Sequence, residues 1–89
     1  MTDPTPERLR FPCDYPIKVM VRADPGVRER VDAIVQRHAG PIASESVSER
    51  SSAGNRFLGI TYVIRARDEA QIAELFGALK SCPQVLMVL

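Results

Sequence analysis

The chain has 89 residues, 45% hydrophobic and 26% charged, which fits one globular domain and excludes a chain disordered as a whole. Twelve Lys and Arg against 11 Asp and Glu give a net charge of +1, so no global attraction to nucleic acid or an anionic membrane is expected. No segment approaches the roughly 20 apolar residues that span a bilayer, so no membrane partner is expected.

The opening MTDPTPERLR lacks an apolar run, which argues against a secretory signal and makes the cytosol the expected compartment. Residues 1–10 carry Pro4 and Pro6 and little apolar content, and are expected to be a flexible tail ahead of a single domain at 11–89. Cys13 and Cys82 are too few for a disulfide framework and are expected to stay reduced.

Phe11 begins the ordered chain, and Pro12 and Pro16 keep it extended. IKVMVR then alternates, with Ile17, Val19 and Val21 on one side and Lys18, Met20 and Arg22 on the other, as in a half-buried strand. ADPGVRERVDAIVQRHAG predicts a helix. Asp24 is placed to cap it and Pro25 suits its first position. Val27, Val31, Ile34 and Val35 form its apolar stripe, and Arg28, Glu29, Arg30, Asp32 and Arg37 its wet side. Gly40 and Pro41 stop it.

The polar run from Pro41 to Arg56 predicts a short edge strand near Ile42 to Ser48, then a flexible Ser/Gly loop through Asn55. GNRFLGITYVIRA predicts a third element. Leu58, Ile60, Tyr62, Ile64 and Ala66 share an apolar parity and face the core, while Thr61, Val63, Arg65 and Arg67 face water or a partner. DEAQIAELFGALK predicts a second helix, capped by Asp68 with Gln71 three residues on, and buried through Ile72, Leu75, Phe76 and Leu79. QVLMVL closes with an apolar strand whose parity is ambiguous.

The order β-α-β-β-α-β, with two one-sided helices, calls for a common surface to cover. A four-stranded antiparallel sheet with both helices on one face supplies it, which is the α+β, ferredoxin-like two-layer sandwich. The first and third strands are expected at its centre and the polar second strand at an edge.

RNA-recognition motifs share this architecture but stack bases on aromatics of the open face. Lys18, Met20, Thr61 and Val63 stand at the matching positions, and none is aromatic. Base stacking is therefore not expected. Weak, salt-sensitive phosphate contact by Lys18, Arg22, Arg65 and Arg67 is the alternative that survives. Enzymatic signals are absent: there is no glycine-rich phosphate loop and no H-E-x-x-H, and nothing in the sequence brings Cys13 to His38. His38, the only histidine, reads as a structural helix-end residue, and no catalytic residue, metal or cofactor is expected.

FPCDYPIKVMV at 11–21, VQRHAG at 35–40, SSAGNRF at 51–57 and the closing VLMVL resemble the YbeD-like family of small bacterial proteins. The resemblance covers about Phe11 to Leu89. It implies a ferredoxin-like fold similar to the regulatory ACT domain, no catalytic residues, and a link to lipoate attachment through neighbouring genes. Val21 departs from the glycine many relatives carry there. An extra residue near Arg56 leads us to expect a bulge at Arg56–Phe57.

The sheet face away from the helices is the expected site. Lys18, Met20, Arg22, Thr61, Val63 and Arg65 are its candidate partner-binding residues, an apolar strip edged by cations. The expected function is a non-enzymatic regulatory or binding module. It would act through this face on a partner protein, on a second copy or on a small metabolite.

Overall fold

A computed structural model describes residues 10–89; apart from the exposed Arg10, the expected N-terminal tail lies outside the described residues. The elements in chain order are β1 (Cys13–Arg22), α1 (Val27–Ala39), β2 (Val47–Ser51), β3 (Phe57–Ala66), α2 (Glu69–Lys80) and β4 (Val85–Val88). They form one antiparallel sheet of order β2-β3-β1-β4. This is the expected α+β fold, with the two most regularly patterned strands in the middle and the polar one at an edge.

The core lies between the sheet and the helices. Ile17, Val19 and Val21 of β1 and Leu58, Ile60, Tyr62, Ile64 and Ala66 of β3 are buried there. Val27, Val31 and Val35 of α1 and Leu75 and Leu79 of α2 cover them. The parity read from β3 holds at every position, because one residue of slip would turn five apolar side chains into water.

Three expectations need correction. The first helix begins at Val27, not at Pro25. Asp24-Pro25-Gly26-Val27 is a turn in which the Val27 N–H donates to the Asp24 carbonyl at 3.1 Å. Gly26, at φ 78° and ψ 0°, has the geometry of the third position of a type II turn. A Pro-Gly turn thus displaces the Asp24 cap, and no side chain caps α1. At its other end Gly40 has φ 82° but ψ −169°, an extended conformation open to glycine and outside the left-handed helical well.

The second correction concerns the polar segment. The edge strand is Val47–Ser51, starting five residues and ending three residues later than expected; Ile42 lies in the connection before it, partly buried against the core. Only Val47 gives β2 a core-facing aliphatic side chain, opposite Tyr62. The loop after it is ordered by its own bonds. Ser52 exchanges backbone bonds with Phe57 and Asn55, and its hydroxyl accepts from the Phe57 N–H at 3.0 Å. The β1–β3 register runs unbroken to Arg22↔Phe57, so no bulge sits at Arg56–Phe57. The bulge is in β4, where Met20 faces Met87 and Val21 faces Val85, leaving Leu86 as the extra residue.

The third correction is Asp32, expected on the wet side. Its carboxylate accepts from the Tyr62 hydroxyl and from Arg28 Nε at 2.9 Å, and Arg28 reaches on to Glu49 of β2. One bonded chain of side chains therefore ties α1 to the central strand and to the edge.

Gln71 joins the two helices. Its N–H donates to Asp68 Oδ1 at 2.8 Å, as the capping pattern predicts. Its side chain does not complete the box on Asp68. Instead Oε1 accepts from the Arg67 N–H, and Nε2 donates to the His38 carbonyl at 2.8 Å. The residue is only 4% exposed. Gln71→Ala leaves two backbone groups without their partner and is expected to lower stability by about 2 kcal/mol. Gln71→Glu keeps the acceptor and loses the donor, so its urea midpoint should fall between the alanine variant and the parent; equal midpoints for all three would refute the bridge.

Candidate functional site

The sheet face turned away from the helices is built in cross-strand rows. Arg50, Gly59, Met20 and Met87 make one row, from β2 to β4. Ser48, Thr61, Lys18 and Leu89 make the next; Leu89 and Lys18 exchange two backbone hydrogen bonds. Arg22 faces Phe57 beyond the first row, and Pro16 faces Val63 and Asp14 faces Arg65 beyond the second. All six expected residues, Lys18, Met20, Arg22, Thr61, Val63 and Arg65, are thus brought to one surface.

Exposure confirms that no part of the described chain covers it. Val63 is 41% exposed, Met87 52% and Leu89 64%, and Phe57 is 39% exposed on the same face. Arg65 is engaged by its cross-strand neighbour, donating to Asp14 Oδ1 at 3.3 Å. Among the described residues no carboxylate pairs with Lys18, Arg22 or Arg50. Arg67 lies past the end of β3 and is not part of the rows.

Three groups of residues were missed, one of them Met87 of β4 with Leu89 just after it, whose parity the sequence leaves ambiguous. Ser48 and Arg50 belong to β2, whose parity stayed hidden while that strand was placed too early. Phe57 was legible, since it shares the odd parity of Thr61 and Val63. It is the one aromatic side chain on the rows, at the end of the face beside Arg22. A single ring there does not make a base-stacking platform, which uses two or three.

The face carries an open depression of about 500 Å³ on its β2 half, with Lys18, Met20, Ser48, Arg50, Gly59 and Thr61 around it. Another, of about 400 Å³, lies not on this face but at the β4 edge of the sheet, beside Lys80 of α2.

The other candidates stay apart. Cys13 and Cys82 are both free thiols. Cys13 pairs with Ala66 at one end of β1, while Cys82 precedes Val85, which pairs with Val21 at the other end, about 25 Å away. His38 is half-exposed at the end of α1, and its carbonyl is held by Gln71. Among the described residues no cluster of three or more His, Cys, Asp or Glu is placed to hold a metal ion. No described helix is long and apolar enough to cross a membrane.

Comparison with known proteins agrees with this picture. A "UPF0250 protein" of Hahella chejuensis is 38% identical over 91 residues, covering 100% of both chains. "UPF0250 protein PA3998" of Pseudomonas aeruginosa is 38% identical over 88 residues, covering 98% of this chain and 95% of that one. The solution structure of protein HP0495 from H. pylori superposes with a TM-score of 0.77 at 14% identity, over 98% of this chain and 91% of that one, a likeness of fold. The family model described as "Protein of unknown function (DUF493)" matches residues 6–89. With that match and these relatives, the chain belongs to the bacterial DUF493, or YbeD-like, family.

Proposed function

We propose that the protein is a cytosolic, non-enzymatic regulatory module that docks a partner protein through its open sheet face. The observation that carries this reading is where the exposed large apolar side chains stand. Of the five exposed large apolar side chains among the described residues, Phe57, Val63, Met87 and Leu89 lie on the one face the helices leave bare, and Leu86 is the bulged residue of the edge strand β4. Exposed apolar side chains gathered on one face of a small domain often mark a binding surface. Lys18, Arg22 and Arg50 around it, which pair with no carboxylate among the described residues, select a partner with an apolar centre and an acidic rim. The YbeD-like resemblance points first to proteins of lipoate attachment as that partner.

The test is Val63→Glu with Met87→Glu in the full chain. Both positions are exposed, so urea melts of the double variant should give the parent's unfolding free energy within about 0.5 kcal/mol. It should lose the association seen in a pull-down from the source cytosol. A folded variant that keeps every association of the parent refutes the reading. Weak nucleic-acid binding through Lys18, Arg22, Arg65 and Arg67 is the lesser reading, since Asp14 already holds Arg65 and Arg67 lies off the face. Fluorescence anisotropy with short RNA and DNA at two salt concentrations decides it, and no binding at low salt ends it.

A further inference from the structure

We propose that the β2 half of the open face binds a phosphorylated small molecule, its phosphate held between Lys18 and Arg50 above Gly59. The inference rests on the reading of this face as a binding surface and names a second ligand for it.

Gly59 is the first argument. It sits inside the central strand β3, where glycine costs about 0.5–1 kcal/mol relative to alanine. Nothing in the backbone asks for it. Its φ is not in the positive range, and an added Cβ would meet the Arg50 carbonyl at 3.7 Å and Met20 Cε at 3.8 Å, ordinary contact distances. What the missing side chain does is open the floor of the depression. An interior strand glycine marks a bulge, a tight bend or a close approach by a ligand or another backbone, and the unbroken register on both sides of Gly59 excludes the bulge.

The cations are the second. Arg50 lies opposite Gly59, and Lys18 lies opposite Thr61 on the far side of β3. Two strand spacings across and two residues along put their Cα atoms about 12 Å apart. Both long side chains therefore reach a point above Gly59 and Thr61. Glu49, the one acidic residue around the depression among the described residues, is held by Arg28 on the helix side and leaves this charge standing. A phosphate monoester carries about −1.5 to −2 at neutral pH, which matches two cations. A carboxylate matches one. The Ser48 and Thr61 hydroxyls, in one row with Lys18, add donors for the remaining oxygens.

The size is the third. About 500 Å³ falls within the usual range for one metabolite, and Met20 supplies an apolar wall. Ser51 and Ser52 bound the depression at the hairpin, which suits one ligand better than a running nucleic-acid strand.

The experiment follows amide chemical shifts of the full chain at low salt, with inorganic phosphate, glycerol phosphate and acetate as probes. Saturable shifts at Gly59 and Thr61 are expected with both phosphates and not with acetate. Tighter binding of glycerol phosphate than of inorganic phosphate identifies an organic ester as the ligand. Lys18→Met and Arg50→Met should each weaken binding about tenfold. Gly59→Val should abolish it while leaving the urea midpoint equal or higher, which a purely structural glycine would not allow. Phosphate shifts no larger than those of acetate, or undiminished binding by Gly59→Val, overturn the proposal. Val63→Glu with Met87→Glu should retain phosphate binding. A parent that keeps its protein partner but ignores phosphate sinks this inference alone; one that binds phosphate while the glutamate variant keeps the partner sinks the docking reading alone.

Discussion

Aspartate in place of Ile60 is expected to leave the chain unfolded in water, while aspartate in place of Val63, three residues along the same strand, leaves it folded. Ile60 is fully buried between Val19 of β1 and the edge strand β2. A carboxylate there has no cation within the apolar cluster around it, and the cluster also loses the isoleucine's own burial. The sum is on the order of 5 kcal/mol or more, close to the whole stability of a small domain, about 5–15 kcal/mol. Val63 faces away from the helices and is part-exposed, so the same change costs about 0.5 kcal/mol or less. Far-UV circular dichroism and urea melts of the two variants check the pair. An Ile60→Asp chain that melts like the parent would turn the sheet over, with the candidate site beneath the helices.

This pair of substitutions also shows why so much of the fold was legible. In β3 the five side chains of one parity are all apolar while the other parity is mixed, and in β1 Ile17, Val19 and Val21 stand against the mixed Lys18, Met20 and Arg22, so parity alone decided which face meets the helices. The helices were equally plain, because each has one stripe. What resisted reading were places where two local rules competed. Asp24-Pro25 satisfies the start of a helix, yet Pro25-Gly26 satisfies a turn, and the turn wins. Ile42 and Val47 are five residues apart, and either can anchor a short edge strand. The strand forms where Val47 can pair with Tyr62. No local pattern announces that choice, since the partner strand makes it.

The same limit shaped the site. Residues on the central strands were readable by parity, and Lys18, Met20, Arg22, Thr61, Val63 and Arg65 stand together as expected. Arg50 and Ser48 were not, because the register of an edge strand with one core-facing aliphatic residue is set across the sheet. β4 hid Met87 and Leu89 for another reason. Both of its faces are apolar, and the bulge at Leu86 shifts parity partway along it. Asp32 read as solvated because charge on a helix usually is; only Tyr62, thirty residues on, gives it a reason to turn inward.

Asp32→Ala should therefore cost far more than a surface helix substitution, about 2 kcal/mol, chiefly because it leaves the Tyr62 hydroxyl without its acceptor beneath α1, with a small further loss from the half-exposed pair with Arg28. Tyr62→Phe removes the donor but keeps Asp32 on Arg28, and should cost only about 1 kcal/mol. The pair also has a signature in alkali. Burial, then the hydrogen bond and charge of Asp32, push ionisation of Tyr62 well above the usual tyrosine range, with Arg28 opposing. An unfolded tyrosine gives up its proton near pH 10, roughly, while the folded one keeps it. Below that pH the contribution to stability is complete; above it the unfolded state binds fewer protons and stability falls as pH rises. The slope has an upper bound of about 1.4 kcal/mol per pH unit. Water reaching Asp32, 28% exposed, should reduce it. Urea melts of the parent and Tyr62→Phe between about pH 8 and pH 11 isolate the effect, since other groups titrate alike in both. The two stability curves should converge as pH rises. Curves that stay parallel would mean that Tyr62 ionises as freely in the fold as outside it, and that the bond to Asp32 does not hold β3 to α1.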